Sequence, residues 1–144
     1  MHPAALVGLG GALGSVARWW VSELAPLEQD GQMPWATVAV NLLGALMLGA
    51  LMALAAASEV DTGTVLLLGT GLLGGFTTMS AFGFETMRLV QSGSTTIAAA
   101  YVLLNMLAPL MAWAGWKAAR ALAAGGENLD LVHGHSHIRS HNKG

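Results

Sequence analysis

The chain has 144 residues, of which 54% are hydrophobic and only 10% charged, and its formal net charge is -2. An average soluble domain carries roughly 25% charged residues, so this composition excludes a water-facing surface and points to a polytopic membrane protein. It also excludes a nucleic-acid surface, which needs clustered Lys and Arg, and with no cysteine there is neither a disulfide nor a thiolate metal site.

The first apolar run covers about residues 3–24. Nothing cationic precedes Arg18, whereas a signal peptide needs basic residues ahead of its apolar region, so the segment is expected to be retained. Gly10 and Gly14 form a GxxxG pair, flanked by Gly8 and Gly11, that lets another helix approach closely. Arg18 beside Trp19 and Trp20 fits an interfacial anchor, reaching headgroups or pairing with Glu23. A polar connection with Pro26, Glu28, Asp30, Gly31 and Pro34 leads to a second span at about 35–57, opened by Trp35. Inside it lies Asn41, a carboxamide that is costly at membrane depth unless it is hydrogen-bonded. Either it bonds a neighbouring helix or it lines a water-filled path.

After the acidic turn of Glu59, Asp61 and Gly63, the third span runs over about 64–90. Its middle, GTGLLGGFTTMSAFGFE from Gly69 to Glu85, places glycines and hydroxyls in the centre of an apolar run. Backbone groups cannot stay unpaired in lipid, so this composition predicts a helix that breaks inside protein. Freed carbonyls suit a cation, and hydroxyls and amides suit an anion. Glu85 and Arg88, three apart, are expected to pair on one helix face. The fourth span, about 97–122, carries Tyr101 and Asn105 four apart on one face, then Pro109, which removes a backbone bond. Residues 1–125 thus form one four-helix transmembrane domain, and 126–144 a polar tail expected to be disordered. Its His133, His135, His137 and His141 suit at most weak binding of a divalent metal.

Gly69, Gly71 and Gly74 spell the dinucleotide fingerprint GxGxxG, but inside a membrane span they lack the strand and sheet that it requires. No catalytic constellation lies at membrane depth, so the chain is not read as an enzyme. Four spans put Lys117 and Arg120 on one side of the membrane and Arg18 and Arg88 on the other. This near tie predicts insertion in both orientations and antiparallel pairing of the chain with itself.

GALGSVAR at 11–18, NLLG at 41–44, the 69–85 segment, and Tyr101 with Asn105 together resemble the Fluc (CrcB) fluoride channel family, over essentially residues 6–122. The resemblance implies an all-α membrane protein of four transmembrane helices, the third broken, assembled in the lipid bilayer as an antiparallel dual-topology homodimer. It further implies passive export of fluoride across a bacterial plasma membrane. Carried over residue by residue, the fluoride pathway would comprise Asn41, Thr78, Met79, Ser80, Phe82, Tyr101 and Asn105. The carbonyls of Gly74 and Thr77 from each subunit would bind a central sodium ion. Met79 stands where the family usually has a second phenylalanine, and Asn105 where it commonly has a small hydroxyl residue. The alternative from a different class is a small proton-coupled multidrug exporter, which needs a membrane-embedded carboxylate.

Overall fold

The computed structural model describes residues 2–26 and 31–141, with side chains as far as Gly125. Four helical segments among these residues are long and apolar enough to cross a membrane: Pro3–Leu24, Trp35–Ala56, Thr62–Gln91 and Thr95–Gly125. At 1.5 Å per residue, each of the two 22-residue spans reaches about 33 Å, enough for a hydrocarbon core of about 30 Å. Large apolar side chains such as Leu13, Leu24, Leu103, Leu110 and Leu122 point outward, as a lipid-facing surface requires. Trp19, Trp20, Trp35 and Trp113 are likewise exposed, and Lys117 lies 5.9 Å from the Trp113 ring, an arrangement suited to headgroup level.

The first two spans are the unbroken helices α1 (Pro3–Leu24) and α2 (Trp35–Ala56). α1 starts where the His2 ring accepts from the Ala4 amide, with Pro3 in the first turn, where its missing N–H costs nothing. The third span is two helices. α3 covers 62–76, is capped by Asp61, and winds as a wide π-helix over Val65–Leu73. The Asp61 carboxyl accepts from the Thr64 hydroxyl and amide, bonds that hold it below the usual carboxylate range. α4 covers Met79–Gln91 after a two-residue extended interruption, Thr77 at ψ 157° and Thr78 at ψ 118°. The fourth span divides as well, into α5 (Thr95–Asn105) and α6 (Ala108–His141). Pro109 cannot donate to the carbonyl four residues back, and the helix steps at 106–107 just ahead of it. The helical backbone continues through 126–141, where the sequence suggested a loose tail. Its histidine side chains lie outside the described residues.

Glycine makes the helices meet backbone to backbone. A Cβ at Gly10 would lie 2.1 Å from the Leu67 carbonyl oxygen, and one at Gly14 2.0 Å from that of Leu72, so α1 lies directly on α3. On the α2–α6 side, a Cβ at Gly49 would lie 1.8 Å from the Ala112 oxygen and one at Gly115 1.9 Å from the Leu46 oxygen. Without a hydrophobic effect between helices in lipid, such close van der Waals packing is a main source of association. A small cluster of Val38, Leu89, Ala98 and Tyr101, flanked by Phe82 and Leu104, joins α2, α4 and α5.

Because those contacts are with backbone, no side-chain adjustment can relieve them. Gly14→Val and Gly115→Val are expected to destabilise the fold by about 1–3 kcal/mol or more, read as a lowered melting temperature of the detergent-solubilised protein; unchanged melting in both would contradict the packing described.

Candidate functional site

The interruption of the third span is held from outside by one side chain. Asn41, on α2, accepts from the Thr78 amide through Oδ1 at 2.8 Å and donates to the Thr78 carbonyl through Nδ2 at 3.1 Å. These two bonds also fix which end of the amide is oxygen and which nitrogen. The second Nδ2 hydrogen goes to Asn105 Oδ1 at 2.8 Å, and Asn105 Nδ2 donates to the Tyr101 carbonyl at 3.0 Å. Asn41 therefore ties the gap between α3 and α4 to the end of α5, beside the second interruption. Gly44, one turn further along α2, makes room for the Thr77 side chain, whose methyl would lie 2.3 Å from any Cβ there.

The break redirects hydrogen bonds that an unbroken helix would use internally. The Thr78 amide would otherwise donate to Gly74, and the Ala81 amide to Thr77. Instead the first goes to Asn41 and the second to the Thr78 hydroxyl, which caps α4 at 3.2 Å. The carbonyls of Gly74 and Thr77 are thereby released from their helical donors. At 77–78 the C-terminus of α3, with its partial negative charge, faces the N-terminus of α4, with its partial positive charge. One chain segment thus presents a cation-attracting end next to an anion-attracting one.

A cavity of about 400 Å³ opens beside this point. Asn41, Gly44, Thr77, Thr78, Met79, Phe82 and Asn105 line it, with Met106, Ala108 and Pro109 from the second interruption. Five of the seven residues expected on an anion path are therefore in its wall. Ser80 stands next to it, its hydroxyl 3.3 Å from that of Thr78. Tyr101 is fully buried behind Phe82, the rings 5.3 Å apart and tilted by 47°. Met79 is 73% exposed.

Three residues take roles that the sequence did not suggest. Glu85 was expected to pair with Arg88; its carboxylate instead accepts from the Thr37 hydroxyl at 3.1 Å and the Tyr101 hydroxyl at 2.5 Å. Thr37 lies one turn before Asn41 on the same face of α2, the one signal in the sequence that could have marked it. Arg18, read as an interfacial anchor, donates from Nε to the Gly75 carbonyl at 3.2 Å, in the last turn of α3.

Residues 5–116 match the family described as CrcB-like protein, Camphor Resistance (CrcB). The chain belongs to that family. Among curated relatives of this CrcB chain, a protein of Gloeobacter violaceus named fluoride-specific ion channel FluC is 46% identical over 125 residues, covering 85% of this chain and 99% of its own. A protein of the same name from Methylobacillus flagellatus is 42% identical over 120 residues, 81% of this chain and 94% of its own. Another from Sorangium cellulosum is 39% identical over 121 residues, 83% and 95%. The family match begins in the first membrane segment, ends within the fourth and includes the site just described.

Removing the Asn41 amide leaves the Thr78 N–H and C=O and the Asn105 oxygen without partners in a low-dielectric setting, at about 1–3 kcal/mol per group. Asn41→Leu should therefore cost more unfolding free energy in detergent than Asn105→Ser, which keeps a hydroxyl and disturbs one Asn41 bond. The reverse order would mean that Asn41 is not the clamp.

Proposed function

We propose that this CrcB protein is a fluoride-selective channel that lets the anion leave the cytoplasm passively across a bacterial plasma membrane. The observation that carries the reading is the Asn41-clamped break beside a cavity that combines hydroxyls, a helix N-terminus and an aromatic ring. Fluoride is small and strongly hydrated, so a pore must replace its water with preorganised donors that do not hold it too tightly. The Thr78 and Ser80 hydroxyls can swing to an anion, and the ring edge of Phe82 carries positive quadrupolar charge. Asn41 contributes differently: both Nδ2 hydrogens are committed, so it holds the donors in place. The names of the relatives agree with a fluoride channel.

In the same reading, two antiparallel copies meet at their broken spans, closing the cavity that a single chain leaves open and forming a dual-topology homodimer. A sodium ion would sit on the central axis, held by the Gly74 and Thr77 carbonyls of each chain. The donor set fits, because both oxygens are hard, uncharged and released from helical bonding by the break. Bound there, the ion would supply fixed positive charge that favours nearby anions. The proton-coupled exporter is less well supported, since Glu85, a carboxylate that it would need to exchange protons, is hydrogen-bonded at both oxygens.

Purified protein reconstituted in liposomes should release fluoride and retain chloride. Phe82→Ile, which removes the ring edge while keeping apolar volume, should slow fluoride release by at least about tenfold, equivalent to ~1.4 kcal/mol, while the dimer persists on size exclusion. Equal release of both anions would contradict selectivity, and no release would contradict the channel. Met79→Phe should leave fluoride release within about threefold of native, less than ~1 kcal/mol, because the thioether already offers a polarisable apolar wall.

A further inference from the structure

Gly10, Gly14 and Arg18 recur every four residues along one face of α1, and both glycines lie against the backbone of α3. That contact fixes where the Arg18 side chain emerges. A Cβ on Gly75 would come within 2.5 Å of the Gly11 oxygen, so the last turn of α3 is held against α1 at the same height. From there Arg18 Nε reaches the Gly75 carbonyl at 3.2 Å, across 57 residues of sequence. The bond joins a permanently charged guanidinium to an oxygen that lies between Gly74 and Thr77 in sequence. In the last turn of a helix, carbonyls point along the axis past its C-terminus, so the oxygens of 74 and 75 share one general direction, and the extended Thr77 follows directly after that turn.

We infer that Arg18 is a positioning residue for the cation site: by holding the Gly75 carbonyl, it limits each chain to the Gly74 and Thr77 oxygens and so keeps the site matched to sodium. The inference rests on the sodium reading given under Proposed function and deepens it. Carbonyl sites distinguish alkali cations by cavity size and by the number and field strength of their oxygens. A Gly75 oxygen free to turn inward would add one oxygen per chain, and the larger, higher-coordinate potassium ion would then be accommodated. Loss of the guanidinium charge removes a repulsion that also disfavours a loosely held cation.

The test measures fluoride efflux from liposomes containing the full chain, with sodium or potassium as the sole alkali cation. Native protein should be supported by sodium at least about tenfold better than by potassium, the scale of one charge-assisted hydrogen bond. Arg18→Lys, which keeps charge and a donor, should preserve that preference. Arg18→Met, which keeps the stem and removes both, should bring potassium to within about threefold of sodium. Native discrimination in Arg18→Met overturns the inference, as does a folded Arg18→Met dimer that is silent in both salts. If Arg18→Met fails to insert, Arg18→Gln is read in the same way, and unchanged discrimination there overturns it. Native efflux equal in the two salts removes the sodium reading and this inference with it, whereas no fluoride efflux from native protein in either salt removes the channel reading.

Discussion

The structure depends on one carboxamide that bonds the backbone of Thr78 on both sides. A helix interrupted at membrane depth strands polar groups, and in hydrocarbon these groups have no water to turn to. Asn41 supplies a donor and an acceptor in the geometry of a peptide group, so that the extended pair Thr77–Thr78 is satisfied as it would be in a sheet. Its remaining hydrogen extends the arrangement to Asn105 and then to the Tyr101 carbonyl. Two interrupted spans are thereby tied to one unbroken helix.

Glycine sets the distances that make this possible. Gly10 and Gly14 bring α1 onto α3, Gly49 and Gly115 bring α2 onto α6, and Gly44 admits the Thr77 side chain. The π-wound stretch Val65–Leu73 lies in the same part of α3 that α1 contacts, with the Gly74 amide reaching five residues back to Gly69. The consequence for chemistry is a short stretch where a cation-favouring helix end, an anion-favouring helix end and a cavity adjoin. No side chain lining that cavity carries a charge, so the helix ends and hydroxyls are what an ion would meet there.

Much of this was legible before the structure. Glycine and threonine in the centre of an apolar run announced the break, and the cost of burying Asn41 announced that it must be bonded. Of the two alternatives left open for Asn41, bonding to a neighbouring segment is what the structure displays, and the residue also stands in the cavity wall. The spacing of Tyr101 and Asn105 placed them on one face, and they are both buried there. What sequence could not convey was direction. Glu85 has Arg88 three residues away, yet it bonds Thr37 and Tyr101, because α2 and α5 carry those hydroxyls to it. Arg18 looked like an interfacial cation because charge near a span end usually is one. Only the glycine-mediated approach of α1 to α3 shows that a backbone carbonyl is within its reach. The π-winding left no compositional trace distinct from that of an ordinary apolar helix.

Membership of the CrcB family and the clamped break support the same account: preorganised donors, held by a side chain that has no hydrogen left to give, conduct fluoride. The most direct measurement is the fluoride current through native and Asn41→Asp protein in planar bilayers. The substitution is nearly isosteric, but it replaces the donating nitrogen with one carboxylate oxygen that faces both the Thr78 carbonyl and Asn105 Oδ1. The account predicts a native current that reverses at the fluoride equilibrium potential and no resolvable current from folded Asn41→Asp protein. A native-sized current through Asn41→Asp would contradict it.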